Sequence, residues 1–209
     1  MNRQMNYLEF HKQWGRQGCF SIRQVYAWHH DFNRSNISQW VSKGYLVKLR
    51  NGWYAFRECL SRPDFPQYIA NSIYKPSYIS LQTALAHYGM IPEEIARITS
   101  VTSLKTAEFS NSFGDFTYQT VKASMMFGYM PKPMADGRTI LFATPEKALA
   151  DLLYLYPFYI TEQDMLDLRL DENFMEEDFN REIFLDCCRA IASQALTARA
   201  ETLLKAYGL

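Results

Sequence analysis

The chain has no apolar run approaching the roughly eighteen residues that a membrane-spanning helix requires, which excludes insertion through a hydrophobic helix. Its first residues, MNRQMNYLEFHKQWGRQG, are charged and polar throughout and lack the apolar segment of a signal peptide, so the cytoplasm is the expected location. Cysteine is sparse and unpatterned. Cys19, Cys59, Cys187 and Cys188 offer neither a CxxC nor a Cys/His spacing suited to zinc. Cys187 and Cys188 are adjacent in a helical pattern, where neighbouring side chains diverge by about 100°, so reduced, packed thiols are expected. A Gly-rich phosphate loop, GxSxG and HExxH are all missing. No catalytic residue, cofactor or metal is therefore expected, and the chain reads as a non-enzyme. Internal repeats and low-complexity tracts are also lacking.

The zero net charge conceals a division. Residues 1–62 hold ten Lys and Arg against three Asp and Glu, while residues 63–209 hold twelve against nineteen. Such asymmetry suggests a part facing nucleic acid joined to a part facing something else. The charge changes sign at Leu60-Ser61-Arg62-Pro63-Asp64-Phe65-Pro66, where two prolines read as a linker or an extended crossing segment. Two domains follow, 1–62 and 63–209.

In the first, Asn6–Trp14 fits a helix ended by Gly15 and Gly18. Ser21 is placed to cap a second helix whose Ile22, Val25, Tyr26 and Trp28 can face inward. Asp31, Phe32 and Asn33 form the turn. A third helix spans 35–43, with Ile37, Trp40 and Val41 as its apolar stripe and Gly44 as its stop. Arg50-Asn51-Gly52 then joins the alternating runs Tyr45–Leu49 and Trp53–Phe56, a strong hairpin signal. Helix, turn, helix and hairpin in that order predict a winged helix-turn-helix.

In the second domain, Ser80 is placed to cap a helix over 81–88. Strand candidates follow at Arg97–Leu104, Phe116–Lys122, Met125–Met130 and Arg138–Phe142. Thr144-Pro145-Glu146 opens another helix with proline at its first position. The remainder reads as helices over 161–168, 175–184 and 186–207. The fold class is therefore α+β: a winged helix-turn-helix, then an α+β domain with a small sheet and C-terminal helices.

A helix-turn-helix reads DNA because its second helix fits the major groove while the first braces it over the backbone. In the stretch Arg34–Lys43 the apolar stripe leaves Ser35, Asn36, Ser38, Gln39, Ser42 and Lys43 outward, preceded by Arg34. Asn and Gln suit adenine, Arg and Lys suit guanine or phosphate, and Ser suits either. Lys48, Arg50 and Asn51 would lie over the adjacent backbone as a wing does. Ser21, Arg23 and Gln24 at the start of the second helix read as a phosphate anchor.

Together with YISLQTALAHYGMIPE, ITSVTS and TPEKALADLLY downstream, the segment SIRQVYAW…NISQWVSKGYLVKLRNGWYAF resembles the AbiEi-type antitoxins. These are transcriptional regulators of abortive-infection loci, classed as type IV toxin–antitoxin systems. The resemblance covers about residues 5–156 and weakens over the last fifty. It implies a winged helix that represses its own locus by binding double-stranded operator repeats; a monomer or weak dimer on DNA is expected. It also implies a C-terminal domain that counters a nucleotidyltransferase-type toxin without lasting contact. With no long apolar run, no membrane partner is expected. Two other readings stand beside it: a winged helix that holds a partner protein without specific DNA binding, and a cryptic nuclease built on Asp115, Glu93 and Glu94.

Other charged sets have plainer readings. His29-His30-Asp31 fits a polar turn, and His87 fits a helix end. Glu146, Lys147 and Asp151 are read chiefly as fold integrity, with a contribution to antitoxin action as the alternative. Ten carboxylates from Glu162 to Asp186, against Arg169 and Arg181, read as a solvated face, or alternatively as a contact for a basic partner or a charge that keeps this domain off DNA.

Overall fold

The structure is a computed structural model and describes residues 5–92 and 96–209. It is mixed α+β, with ten α-helices and two sheets among the described residues. None of these helices is long and apolar enough to cross a membrane.

The chain opens with α1 (Tyr7–Trp14), whose N-terminus is closed by Asn6 and Glu9 in a reciprocal capping box. Strand β1 (Cys19–Ser21) follows, too short to be predicted, then α2 (Ile22–Trp28), α3 (Ser35–Ser42), β2 (Leu46–Arg50) and β3 (Trp53–Phe56). The three strands are antiparallel in the order β1-β3-β2. Between them, Phe10, Phe20, Phe56, Ile37 and Trp40 fill an aromatic-rich core. Tyr26 and Trp28, expected to turn inward, are instead exposed.

The proline-containing stretch expected as linker is largely helical. A 3-10 turn (Arg57–Ser61) leads into α4 (Phe65–Ile73), with Pro66 in its first turn, where a missing N–H costs nothing. The boundary expected at 62 thus falls between two packed elements. Helix α4 touches β1 on one side and the larger sheet on the other, so a single buried cluster runs from Phe10 to Leu204.

That larger sheet has six strands: β4 (Ser77–Ile79), β5 (Arg97–Thr102), β6 (Ala107–Asn111), β7 (Gly114–Thr120), β8 (Tyr129–Pro133) and β9 (Thr139–Ala143). Their order is β6-β7-β5-β4-β9-β8, with β5/β7 and β4/β9 parallel and the other pairs antiparallel. It is larger than the small sheet expected, because β4 and β6 carry no strong local signal. The expected strand at 125–130 begins instead as a 3-10 turn (Ala123–Met125) before β8.

Helix α5 (Leu81–His87) packs on β5 and on α6 (Pro145–Leu155). Thr144 caps α6 as the sequence predicts, accepting from the Lys147 N–H. The C-terminal helices are α7 (Glu162–Leu166), α8 (Glu172–Glu177), α9 (Arg181–Ile191) and α10 (Gln194–Ala206). The single helix expected over 186–207 is broken at Ala192, which adopts a left-handed conformation (φ 55°), and restarted by a Ser193 cap.

Candidate nucleic-acid interface

Helix α3 buries Ile37 and Trp40 and half-buries Val41, as the stripe predicts. Its start is set by Asn33, whose side-chain oxygen accepts from the Ser35 N–H at 3.0 Å. Ser35, Ser38, Gln39, Ser42 and Lys43 are exposed, and so is Arg34 just before them. Asn36 corrects the expectation. It is 3% exposed, and its amide donates to the Met5 carbonyl. Residues 36 and 40 lie one turn apart, so Asn36 shares the Trp40 face, where the chain entering α1 crosses and offers the Met5 carbonyl. Between Asp31 and Glu58 there is no carboxylate, while five basic residues fall in that interval.

The start of α2 is also less available than expected. Ser21 is buried, its hydroxyl accepts from the Gln24 N–H at 3.2 Å, and the Gln24 side chain accepts from the Ser21 N–H at 2.7 Å. The Ile22 N–H donates to the Gly52 carbonyl at 2.8 Å. The Ser21, Ile22 and Gln24 N–H groups are thus taken within the protein. Arg23 and Gln24 remain exposed, but Ser21 is a cap and a brace for the hairpin.

At the hairpin, Lys48 and Asn51 are exposed. Arg50 is turned the other way. Its guanidinium donates to the Ile73 carbonyl at 3.0 Å and lies over the rings of Phe109 and Tyr74, at 4.8 and 5.5 Å from their centres. Nearby, the Asn111 amide donates to the Leu49 carbonyl at 3.2 Å. Arg50 therefore anchors the hairpin to β6 and to the end of α4 instead of presenting its charge outward. The partners lie 23 or more residues away, beyond the reach of any local pattern.

A second constellation is closed to solvent. Lys147 and Asp151, one turn apart on α6, form a fully buried ion pair. Tyr78 and Ser80 each donate to the other Asp151 oxygen, at 2.8 and 2.9 Å, and Lys147 also donates to the Tyr78 hydroxyl at 2.9 Å. Burial pushes the Tyr78 phenol far above its ordinary value, so it stays a donor. Ser80, expected as a helix cap, spends its hydroxyl here. Glu146 accepts from the Asn180 N–H at 3.2 Å, tying α6 to the start of α9. The set holds β4, α6 and α9 together and offers no open substrate position, in keeping with fold integrity.

His30 and Asp31 are exposed and pair with each other in the turn. His87 lies against Lys132, whose ammonium approaches its Nε2 at 2.6 Å, and burial together with that charge lowers the imidazole below its ordinary value. Asp115 accepts from Ser110 at 2.5 Å, while Glu93 and Glu94 lie outside the described residues. Among the described residues, no three His, Cys, Asp or Glu side chains gather as metal ligands. The carboxylates from Glu162 to Asp186 lie mainly on exposed faces of α7, α8 and α9.

No protein-family model matches the chain, and no curated protein does. Among solved structures it is similar to the RV2827C protein from Mycobacterium tuberculosis, with a TM-score of 0.56 and 17% identity over 94% of this chain and 75% of that one. At that identity the likeness is one of fold.

Proposed function

We propose that the protein is a DNA-binding transcriptional repressor whose first sixty residues act as a winged helix. The observation that carries this reading is the exposed face of α3. Ser35, Ser38, Gln39, Ser42 and Lys43 stand clear of the core, with no carboxylate between Asp31 and Glu58 to repel a phosphate backbone. Gln39 and Ser38 supply base readout, while Arg34, Lys43 and Lys48 supply phosphate attraction. Asn51 lies at the tip of the hairpin, where a wing meets the neighbouring groove or backbone. The sequence resemblance extends the reading to an antitoxin that represses its own type IV, AbiE-like locus and counters a nucleotidyltransferase toxin.

The test is a salt titration of binding to the DNA upstream of the protein's own gene, with an unrelated duplex as control. Gln39→Ala should relax preference at one base by about 1–3 kcal/mol, and Lys43→Ala should weaken all duplexes alike and lower the salt slope by about 1. Equal affinity for both duplexes at every salt would overturn the reading and favour a protein-interaction module. Coexpression with the cognate nucleotidyltransferase tests the antitoxin part: unrelieved toxicity would remove it.

A further inference from the structure

A cleft of about 530 Å³ opens between the end of α1, the turn after it, Arg62 and the turn joining β8 to β9. His11, Lys12, Arg16, Arg62 and Arg138 line it, against the one carboxylate of Asp136. None of these residues belongs to α3 or to the hairpin.

The cations differ in how they are held. Arg138 lies over the rings of Phe65 and Tyr68, each 4.9 Å away, and donates from Nε and Nη2 to the Arg16 carbonyl at 3.3 and 3.2 Å. That fastens the end of α1 to the β8–β9 turn. Gly18 makes the approach possible: its φ is 73°, and a Cβ there would come within 2.7 Å of the Phe65 ring and 3.0 Å of the Arg138 guanidinium. Asp136 is shared, at 3.1 Å from Arg62 and 3.2 Å from Arg138. Lys12 and Arg16 form no ion pair among the described residues, and His11 is occupied with Glu58 at 3.0 Å. Four permanent cations therefore line one concavity in which Asp136 is the one lining carboxylate, with Glu58 engaged by His11 beside it. Their mutual repulsion in a concave, partly desolvated place favours an added anion.

We propose that this cleft is a second anion site that binds a phosphate group. A multiply charged oxyanion matches the excess positive charge better than one carboxylate does, and guanidinium forks suit phosphate oxygens. Arg62 and Arg138 form the fixed side of the site. Lys12 and Arg16, exposed and unpaired, close on the ligand from the α1 side. The phosphate can come from a free nucleotide or polyphosphate, or from a nucleic-acid backbone. This site stands independently of DNA reading by α3.

Calorimetric titration of the full chain with inorganic pyrophosphate at low ionic strength tests the proposal. The double variant Lys12→Glu/Arg16→Glu changes only exposed side chains, and its thermal midpoint would verify folding. It should bind pyrophosphate at least about tenfold more weakly, while Gln39→Ala should bind it unchanged. Adenosine triphosphate and a short unrelated duplex separate the two sources. Tight nucleotide binding with duplex affinity unaffected by the double variant assigns a free ligand; competition by the duplex, lost in the double variant, assigns a nucleic-acid backbone. No measurable pyrophosphate binding, or binding that the double variant leaves intact, overturns the site.

Discussion

The guanidinium of Arg50 lies 4.8 Å from the centre of the Phe109 ring, so the outermost strand of the first sheet is clamped to the outermost strand of the second. A basic residue at the foot of a hairpin turn would ordinarily be counted as charge for DNA. Here the same residue fixes where the hairpin points.

Arg50→Ala should therefore cost stability more than electrostatic attraction. It removes a charge-assisted hydrogen bond and two ring contacts and leaves the Ile73 carbonyl unpaired, a loss of about 1–3 kcal/mol. The salt slope of DNA binding should stay unchanged. Lys48→Ala should do the opposite, leaving stability within about 0.5 kcal/mol and lowering the slope by about 1. Denaturant midpoints and salt titrations on the two variants would separate these outcomes; a reduced slope for Arg50→Ala would mean that it touches phosphate.

Asn36 and Gln39 lie on the same helix but should report different things. Asn36→Ala is expected to destabilise the fold by about 1 kcal/mol by removing a partner of the Met5 carbonyl, without changing base preference. Gln39→Ala should leave the melting temperature alone. Altered base preference in Asn36→Ala would refute its assignment to the interior.

Breaking the buried pair should be costly. Lys147→Met strands the Asp151 carboxylate at a site with no solvent and should destabilise by about 3–5 kcal/mol. The double variant Lys147→Met/Asp151→Leu should cost less than the two single changes combined, because neither charge is then left alone. Additive losses in urea unfolding would show that the two groups act separately.

The thiols should be inert in the folded protein. All four cysteines are free and buried, and burial pushes Cys19 and Cys187 up to about 11 and Cys188 up to about 12. Iodoacetamide at pH 8 should label none of them before unfolding and all four after it. The unfolded thiols ionise near 9.0 while the buried ones keep their protons, so stability should fall as pH rises from there toward 11–12. Labelling of the native protein at pH 8 would show that one of these sites opens.

Local chemistry made much of the first sixty residues legible. Asn51-Gly52 marks the hairpin, Ser21 with Gln24 marks the start of α2, and Ile37 with Trp40 marks the buried stripe of α3. What stayed hidden depends on partners distant in sequence. Strands β1, β4 and β6 run for three to five residues and exist through pairing with strands elsewhere in the chain. Asn36 looks like any polar helix residue until the chain before α1 supplies a carbonyl for it. Arg50 has no reason to turn inward until Tyr74 and Phe109 arrive beside it. Ala192 carries no composition signal for a left-handed break, so two helices read as one. Lys147 and Asp151 stand out in the sequence only as members of a charged set with Glu146, and Tyr78 and Ser80, which complete the buried group, come from a strand and a loop about seventy residues upstream.

The apposition of β2 and β6 also bears on self-association. Each is the last strand of its sheet, and the unpaired backbone of a terminal strand is a template on which another chain can add. Lying against one another, the two shield each other along the seam held by Asn111 and Arg50. Lifting the hairpin would bare both at once and turn an internal joint into two adhesive margins. Aggregation of this protein should therefore begin from a hairpin-open species, before the rest of the chain unfolds, and tightening that seam should suppress it.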